Sequence, residues 1–266
     1  MSQPPANLFR LDGKTIFLSG AAGHLGRAMA FAFAQAGGHV ILNGRTESKL
    51  QELAEELTAV GGGASVAAFD IMDLAAGEAF FRGLTRLDVL VNNAITGLGG
   101  KDPAEQLAAF RTTLESALVA SHQNINAALP ALEAAAAATG EASVINLTSQ
   151  WGHVSPNFSM YSETGMGESP PAYGAAKAGL MQLTRYLAVK LAPKKIRVNS
   201  LSPGIFPWDS IVAERPDFIA AASAKSPMGR LGLAHEIGGP AVFLASPASS
   251  YMTGADLRID GGWTAW

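Results

Sequence analysis

Cysteine is absent from this 266-residue chain. That absence removes disulfides, thiol nucleophiles and thiolate metal sites together, and it fits a reducing compartment. Charge is sparse. Charged residues make up 15% of the chain, and 19 Lys and Arg against 22 Asp and Glu leave a formal net charge of −3. A chain without a basic excess has no electrostatic footprint for nucleic acid or an anionic membrane. No apolar run approaches the roughly eighteen residues needed to cross a bilayer. The stretch Met1 to Arg10 is polar and proline-bearing, unlike the apolar centre of a signal peptide. The expectation is a soluble cytoplasmic protein with a small-molecule substrate and no metal, nucleic-acid or membrane partner.

Apolar residues are plentiful at 48%, enough for a substantial core. Their arrangement alternates short apolar runs with longer helical spacing, the pattern of βαβ units and a parallel sheet. Seven runs read as strands: 15–19, 39–43, 65–69, 88–92, 143–147, 196–201 and 256–259. Helical spacing covers 25–36, 50–60, 104–122, 127–138, 172–191 and 235–245. The expected fold is one Rossmann-type α/β domain over residues 1–266, a doubly wound seven-stranded parallel sheet with helices on both faces. Two proline-rich segments, 150–171 and 203–233, break the rhythm. Both follow strands, so both belong at the carboxyl edge of the sheet, where such folds bind ligands.

The segment Ser19-Gly-Ala-Ala-Gly-His-Leu-Gly26 follows the first strand and opens a helix. Glycines there permit close approach of a pyrophosphate to the oriented N–H groups of a helix start. Ser19, Gly20, His24, Leu25 and Gly26 are therefore candidate cofactor contacts. Asn43-Gly-Arg45 ends the second strand without the acid that binds an unphosphorylated ribose. Arg45 suits a 2′-phosphate through charge-assisted bonds, which favours NADP over NAD. Asp70, with Ile71 after it, ends the third strand and is placed for the adenine, a helix cap being its ordinary alternative.

Tyr173-Gly-Ala-Ala-Lys177 puts a phenol and an ammonium one helical turn apart on one face. Tyrosine titrates near pH 10, and a neighbouring cation is expected to lower that value. Ser149, past the end of the fifth strand, is a candidate hydrogen-bond donor to a substrate oxygen.

With those residues in their order, the chain resembles the short-chain dehydrogenase/reductase family over essentially its whole length. The carrying motifs are Ser19 to Gly26, Val91-Asn-Asn-Ala94, Asn146-Leu-Thr-Ser149, Tyr173 to Lys177, Arg197-Val-Asn-Ser-Leu-Ser-Pro-Gly204, and Thr253-Gly254 with Asp260-Gly-Gly-Trp263. The resemblance implies that Tyr173 is the general acid/base and that Ser149 orients the carbonyl. It implies that Lys177 binds the nicotinamide ribose and tunes Tyr173, that Asn93 and Asp70 line the adenosine side, and that Pro203-Gly204 borders the nicotinamide. A homodimer or homotetramer built partly on the tyrosine helix follows from the same resemblance.

Departures from the family pattern bear on function. The middle glycine of the phosphate turn is His24, and the glycine after Asn-Asn-Ala is Ile95. Counting back from Leu129-Pro130, the asparagine of the family's proton relay falls on Ala117, with Ser116 or bulk water as replacement. Trp208 stands where a threonine usually meets the carboxamide, and the span from Ser149 to Tyr173 is expanded. That expanded span is expected to act as a lid that selects the substrate without supporting the fold. His153, Tyr161 and Trp208 are candidates to line the pocket. The expected substrate is a polar carbonyl or alcohol such as a sugar, sugar acid or polyol. The turn Leu42 to Arg45 and the loop Pro156 to Tyr161 are similar to members near the gluconate 5-dehydrogenase branch. The alternatives are a 3-oxoacyl thioester reductase, whose carrier would want a basic patch such as Lys194-Lys195-Ile-Arg197, and an NADP-binding regulator with weak catalysis.

Overall fold

A strand that is apolar on both faces needs neighbours at its edges and helices above and below. The computed structural model describes residues 7–99 and 102–265 and meets that demand with one seven-stranded parallel sheet. The strands are β1 (Thr15–Leu18), β2 (His39–Gly44), β3 (Gly63–Ala68), β4 (Val89–Asn92), β5 (Ala142–Leu147), β6 (Ile196–Pro203) and β7 (Asp256–Ile259), in the order β3-β2-β1-β4-β5-β6-β7. Phe17 on β1 pairs with Ile41 on one side and Leu90 on the other, which fixes the register at the centre. Connections leave β1 toward β2 and leave β4 toward β5, so a crevice opens between β1 and β4 at their carboxyl ends. The polar start Met1–Ala6 lies outside the described residues.

The helices are α1 (His24–Gln35), α2 (Glu47–Ala59), α3 (Leu74–Arg82), α4 (Pro103–Leu114), α5 (Ala120–Thr139), α6 (Ser159–Ser162), α7 (Pro171–Leu191), α8 (Asp209–Glu214), α9 (Pro216–Lys225) and α10 (Gly238–Ala245). Side chains alternate across β1. Ile16 and Leu18 enter a core with Phe33, Leu53 and Leu244 of α1, α2 and α10. Phe17 enters the opposite one with Phe81, Ile125 and Leu187 of α3, α5 and α7.

Two expectations about helices need correction. Helix α3, capped by the Asp73 carboxylate on the Ala76 amide at 3.0 Å, is absent from the sequence reading. The two helices expected over 104–122 and 127–138 are one continuous rod, α4 joined to α5 through a wide π turn at Glu115–Val119. The polar run Gln123 to Asn126 suggested a break. Asn124 is instead buried and donates its amide toward Asn92. A polar residue in a helix interior here marks a core hydrogen bond.

The irregular segments also carry more structure than expected. Residues 150–171 include a short turn at Gln150–Gly152 and α6, and 203–233 include α8 and α9. Met160 and Tyr161 of α6 pack with Phe218 and Ala222 of α9 and with Trp263 in a third apolar cluster. This contradicts a lid independent of the fold, because the segment contributes buried side chains to a core of its own.

Candidate active site

One cleft of about 670 Å³ runs along the carboxyl edge of the sheet from Arg45 to Phe218. At its middle, β1 passes to α1 through the glycine turn. Gly20 has φ +64°, and a side chain at Gly26 would come within 2.1 Å of the Gly20 carbonyl oxygen, so only hydrogen fits there. Helix α1 starts after Gly23 with no side-chain cap and no acid in its first turn. Its leading N–H groups, with the positive end of the helix dipole, suit an anion.

Ser19 behaves differently from the cofactor contact expected of it. It is buried and absent from the cleft wall. Its hydroxyl donates to the Val91 carbonyl at 3.2 Å and accepts from the Asn93 and Ala94 amides at 2.9 and 3.1 Å. Asn93 answers through Nδ2, which donates to the Ser19 and Gly20 carbonyls at 2.8 and 3.2 Å. Together they knit β4 to the turn, and Asn93 and Gly20 still face the cleft.

His24 occupies the first position of α1 and lines the cleft with Leu25 and Gly26. Its ring lies 4.7 Å from that of Trp208, and its buried Nε2 has no partner. The two departures from the family pattern therefore meet, closing a bridge from the glycine turn to the segment after β6.

At the far end, Arg45 and Lys49 both line the cleft with Asp70 and Ile71. Neither cation forms an ion pair among the described residues. Lys49 escaped the sequence reading, although its place four residues beyond Arg45 at the start of a helix was the available signal. Asp70 accepts the Met72 amide at 3.0 Å through one carboxylate oxygen.

Ser149, Tyr173 and Lys177 meet at the other end, with Pro203 and Gly204 on the adjoining wall. Ser149 and Tyr173 line the same stretch of the cleft, and the Ser149 hydroxyl is near enough to act on the phenol. The buried Lys177 Nζ donates to the Leu147 carbonyl at 2.6 Å and lies 5.7 Å from the centre of the Tyr173 ring. Burial pushes the Tyr173 phenol above its ordinary value, with the Ser149 hydroxyl pulling the other way. The lowering expected from Lys177 is not what this geometry gives. Burial instead depresses the lysine itself to about 8.

Helix α7 is held in place by buried amides. Asn92 donates to Asn146 at 2.9 Å, and Asn146 donates to Thr184 of α7 at 2.9 Å. These bonds join β4 and β5 to the helix that carries Tyr173 and Lys177. In the π turn, Ala117 is buried away from the cleft while Ser116 lines it. The Ser116 hydroxyl is committed to Thr96, donating to its carbonyl and accepting from its amide, both at 3.1 Å. The structure does not bring it to Lys177.

Tyr161 and Trp208 line the cleft and His153 does not. The His153 imidazole contacts Asp256 at 2.8 Å behind the serine. Asp256 also accepts from Ser200 at 2.5 Å and Ser202 at 2.7 Å, and Ser202 lies 2.7 Å from Thr148. This cluster ties together the ends of β5, β6 and β7.

A glycine cradle before an uncapped helix, leading to a serine–tyrosine–lysine group, defines a nicotinamide-dependent oxidoreductase acting on CH–OH groups. A family model described as enoyl-(acyl carrier protein) reductase matches residues 20–264. Galactitol 2-dehydrogenase (L-tagatose-forming) of Cereibacter sphaeroides is 34% identical, covering 97% of this chain and 98% of its own. The Pseudomonas aeruginosa RhlG/NADP active-site complex superposes with a TM-score of 0.86 at 31% identity, over 97% and 99% of the two chains. A gluconate 5-dehydrogenase from Burkholderia cenocepacia, in complex with NADP and tartrate, gives 0.82 at 27% identity over 98% of each. The chain belongs to the short-chain dehydrogenase/reductase family. Among the described residues no helix is long and apolar enough to cross a membrane.

Proposed function

We propose that the protein uses NADP to interconvert a carbonyl and a secondary alcohol on a small hydroxylated molecule, with Tyr173 moving the proton. The observation that carries this reading is one continuous cleft. Arg45 and Lys49, without an ion pair among the described residues, stand at one end, and Ser149, Tyr173 and Lys177 stand together at the other. The residues present fit the cofactor. Gly26 lets the turn fold tightly onto the Gly20 carbonyl and brings the uncapped start of α1 to the cleft, where it suits a pyrophosphate, and Arg45 with Lys49 suits a 2′-phosphate better than NAD's free hydroxyl.

When bound, the nicotinamide gives or takes a hydride at the substrate carbon. The chain's own part is proton movement and orientation. Ser149 donates to the carbonyl oxygen and holds it beside the phenol. Tyr173, its pKa raised by burial, is protonated at neutral pH and delivers that proton as the oxygen gains charge, which favours the reductive direction. Lys177 fixes the floor beneath them through Leu147.

Two observations weigh against a carrier-bound thioester as substrate. Lys194 pairs with Glu133, and Arg197 pairs with Glu141 at 2.9 Å. All three basic residues, Lys195 included, lie at the amino end of β6, the opposite edge of the sheet from the cleft. A regulator without catalysis is disfavoured by Ser149, Tyr173 and Lys177 all lining one part of the cleft. Exposed apolar side chains on α4 and α7, Leu107, Phe110, Tyr186 and Val189, support a cytoplasmic homodimer or homotetramer joined through these helices. NADPH oxidation by the purified protein with a panel of ketoses and small ketones tests the reading. Turnover that disappears in Tyr173→Phe is expected. NADPH binding without reduction of any carbonyl sinks it.

A further inference from the structure

Resting on the oxidoreductase reading, we propose that Tyr161 and Glu168 choose the substrate. The enzyme takes an uncharged ketone bearing a hydroxyl beside the carbonyl, and it rejects ketones that carry a carboxylate.

The substrate half of the cleft is walled by Ile95, Trp151, Met166, Ile205, Phe206 and Phe218. The cations that line the cleft among the described residues are Arg45, Lys49 and Lys177. The first two stand at the adenosine end, and Lys177 is buried against the Leu147 carbonyl. Arg215 approaches from outside, donating to the Thr164 carbonyl at 2.5 Å and held by Asp217 at 3.0 Å, and it does not line the cleft. Among the described residues no cation is therefore placed in this half to receive an anionic substrate. Glu168 lines this half and adds repulsion. A carboxylate moved from water to such a wall loses its hydration without gaining a partner. Sugar acids are thereby removed from the expected substrates, while neutral sugars and polyols stay.

Tyr161 supplies the attractive part. Its side chain is buried by stacking against Phe218, with ring centres 5.9 Å apart, and its hydroxyl end reaches the cleft. The phenol lies near the Ser169 backbone, which acts to lower its pKa, and its proton is available to be donated. Glu168 and Tyr173 line the same cleft and both act on the Tyr161 phenol electrostatically. Burial raises its pKa, which keeps it a donor at working pH. Ser116 also lines the cleft, but its hydroxyl is occupied by Thr96. A substrate hydroxyl next to the carbonyl thus finds the buried Tyr161 phenol beside the catalytic pair, against the apolar walls named above. Loss of such a partner discriminates more strongly than loss of apolar contact.

The test uses a matched four-carbon set with NADPH and the full-length protein: 3-hydroxy-2-butanone, 2-butanone and 3-oxobutanoate. The expected order of kcat/KM is hydroxyketone above plain ketone by about tenfold, with the keto acid lower by a further tenfold or more. Tyr161→Phe keeps the stacked ring, and it should collapse the hydroxyketone-to-ketone ratio about tenfold, through KM. Glu168→Gln should raise the keto-acid-to-ketone ratio by about the same factor. Thermal melts establish that both variants fold. Equal use of the keto acid and the hydroxyketone by the unmodified protein overturns the proposal. So does a Tyr161→Phe variant whose rates fall in the same proportion on all three, since that marks a structural role. Reduction of none of the three while NADPH binds overturns the oxidoreductase reading itself, and the selection proposal with it.

Discussion

Lys177 carries a charge in a place where charge is costly, and removing it should make the protein more stable. Burial lowers its pKa from 10.5 to about 8. At about 1.4 kcal/mol for each pKa unit, the charged lysine destabilises the native state by roughly 3 kcal/mol at neutral pH. Lys177→Met keeps the unbranched stem and removes the ammonium. It also strips the Leu147 carbonyl of its 2.6 Å donor, and a buried acceptor left without a partner costs about 1–3 kcal/mol. The difference leaves a net gain of about 1 kcal/mol, or roughly 2–4 °C in Tm for a chain of this size.

The pH dependence separates this reasoning from simple repacking. Below pH 8 both the folded and unfolded states of the unmodified protein hold the lysine proton, so the full penalty is present. Between pH 8 and 10.5 the unfolded state binds more protons, and stability rises with pH. Lys177→Met lacks that rise. Its advantage should shrink through this window and reverse by pH 10.5, where only the orphaned carbonyl remains. Denaturant unfolding of the cofactor-free proteins at a series of pH values gives both curves. A variant less stable than the unmodified protein at pH 7, or a difference that ignores pH, would refute the argument. The gain should coincide with lost turnover, because the site keeps this charge at the expense of stability.

The strand pattern was legible because buried parallel strands leave short apolar runs between glycine turns, and Ile16, Phe17 and Leu18 are as apolar as their position demands. The cleft residues were legible for a related reason, since Gly20, Gly26, Tyr173 and Lys177 serve local geometry that spacing encodes. What sequence hid is tertiary. Ser19 reads as a phosphate contact until Val91, Asn93 and Ala94 are seen to hold its hydroxyl. Asn124 reads as a helix break until Asn92 supplies its partner. Met160 and Tyr161 read as loop until α9 covers them. In each case the deciding partner is far away in the chain, and no local pattern reports it. Lys49 is the exception, a local signal that was overlooked beside the arginine.

Replacing Tyr173 by Phe should lower kcat by about a hundredfold or more with NADPH affinity largely kept, as stopped-flow binding and steady-state rates would show. Arg45→Ala should weaken NADPH by about 1.5–3 kcal/mol and NADH far less, and Lys49→Ala should do the same to a smaller degree; equal effects on both cofactors in titrations would remove these cations from the phosphate site. Because burial holds the Tyr173 proton on, alcohol oxidation should accelerate as pH rises above neutral while carbonyl reduction does not, and a pH–rate profile with the opposite slopes contradicts the acid/base assignment. The last expectation concerns Asp256, which lies behind the site and touches no cleft. Its carboxylate gathers His153, Ser200 and Ser202, and Ser202 in turn meets Thr148. Thr148 precedes Ser149 and Ser202 precedes Pro203, so one acceptor sets the spacing of two cleft walls. Asp256→Ala leaves His153, Ser200, Ser202 and Thr148 without their shared acceptor, which should cost about 1–3 kcal/mol of stability, while Asp256→Asn restores part of it. If the cluster positions Ser149, kcat falls in Asp256→Ala and recovers in the asparagine variant, while NADPH affinity stays put because Arg45 and the glycine turn are remote. A stability loss with unaltered kcat would reduce the cluster to a brace for β7.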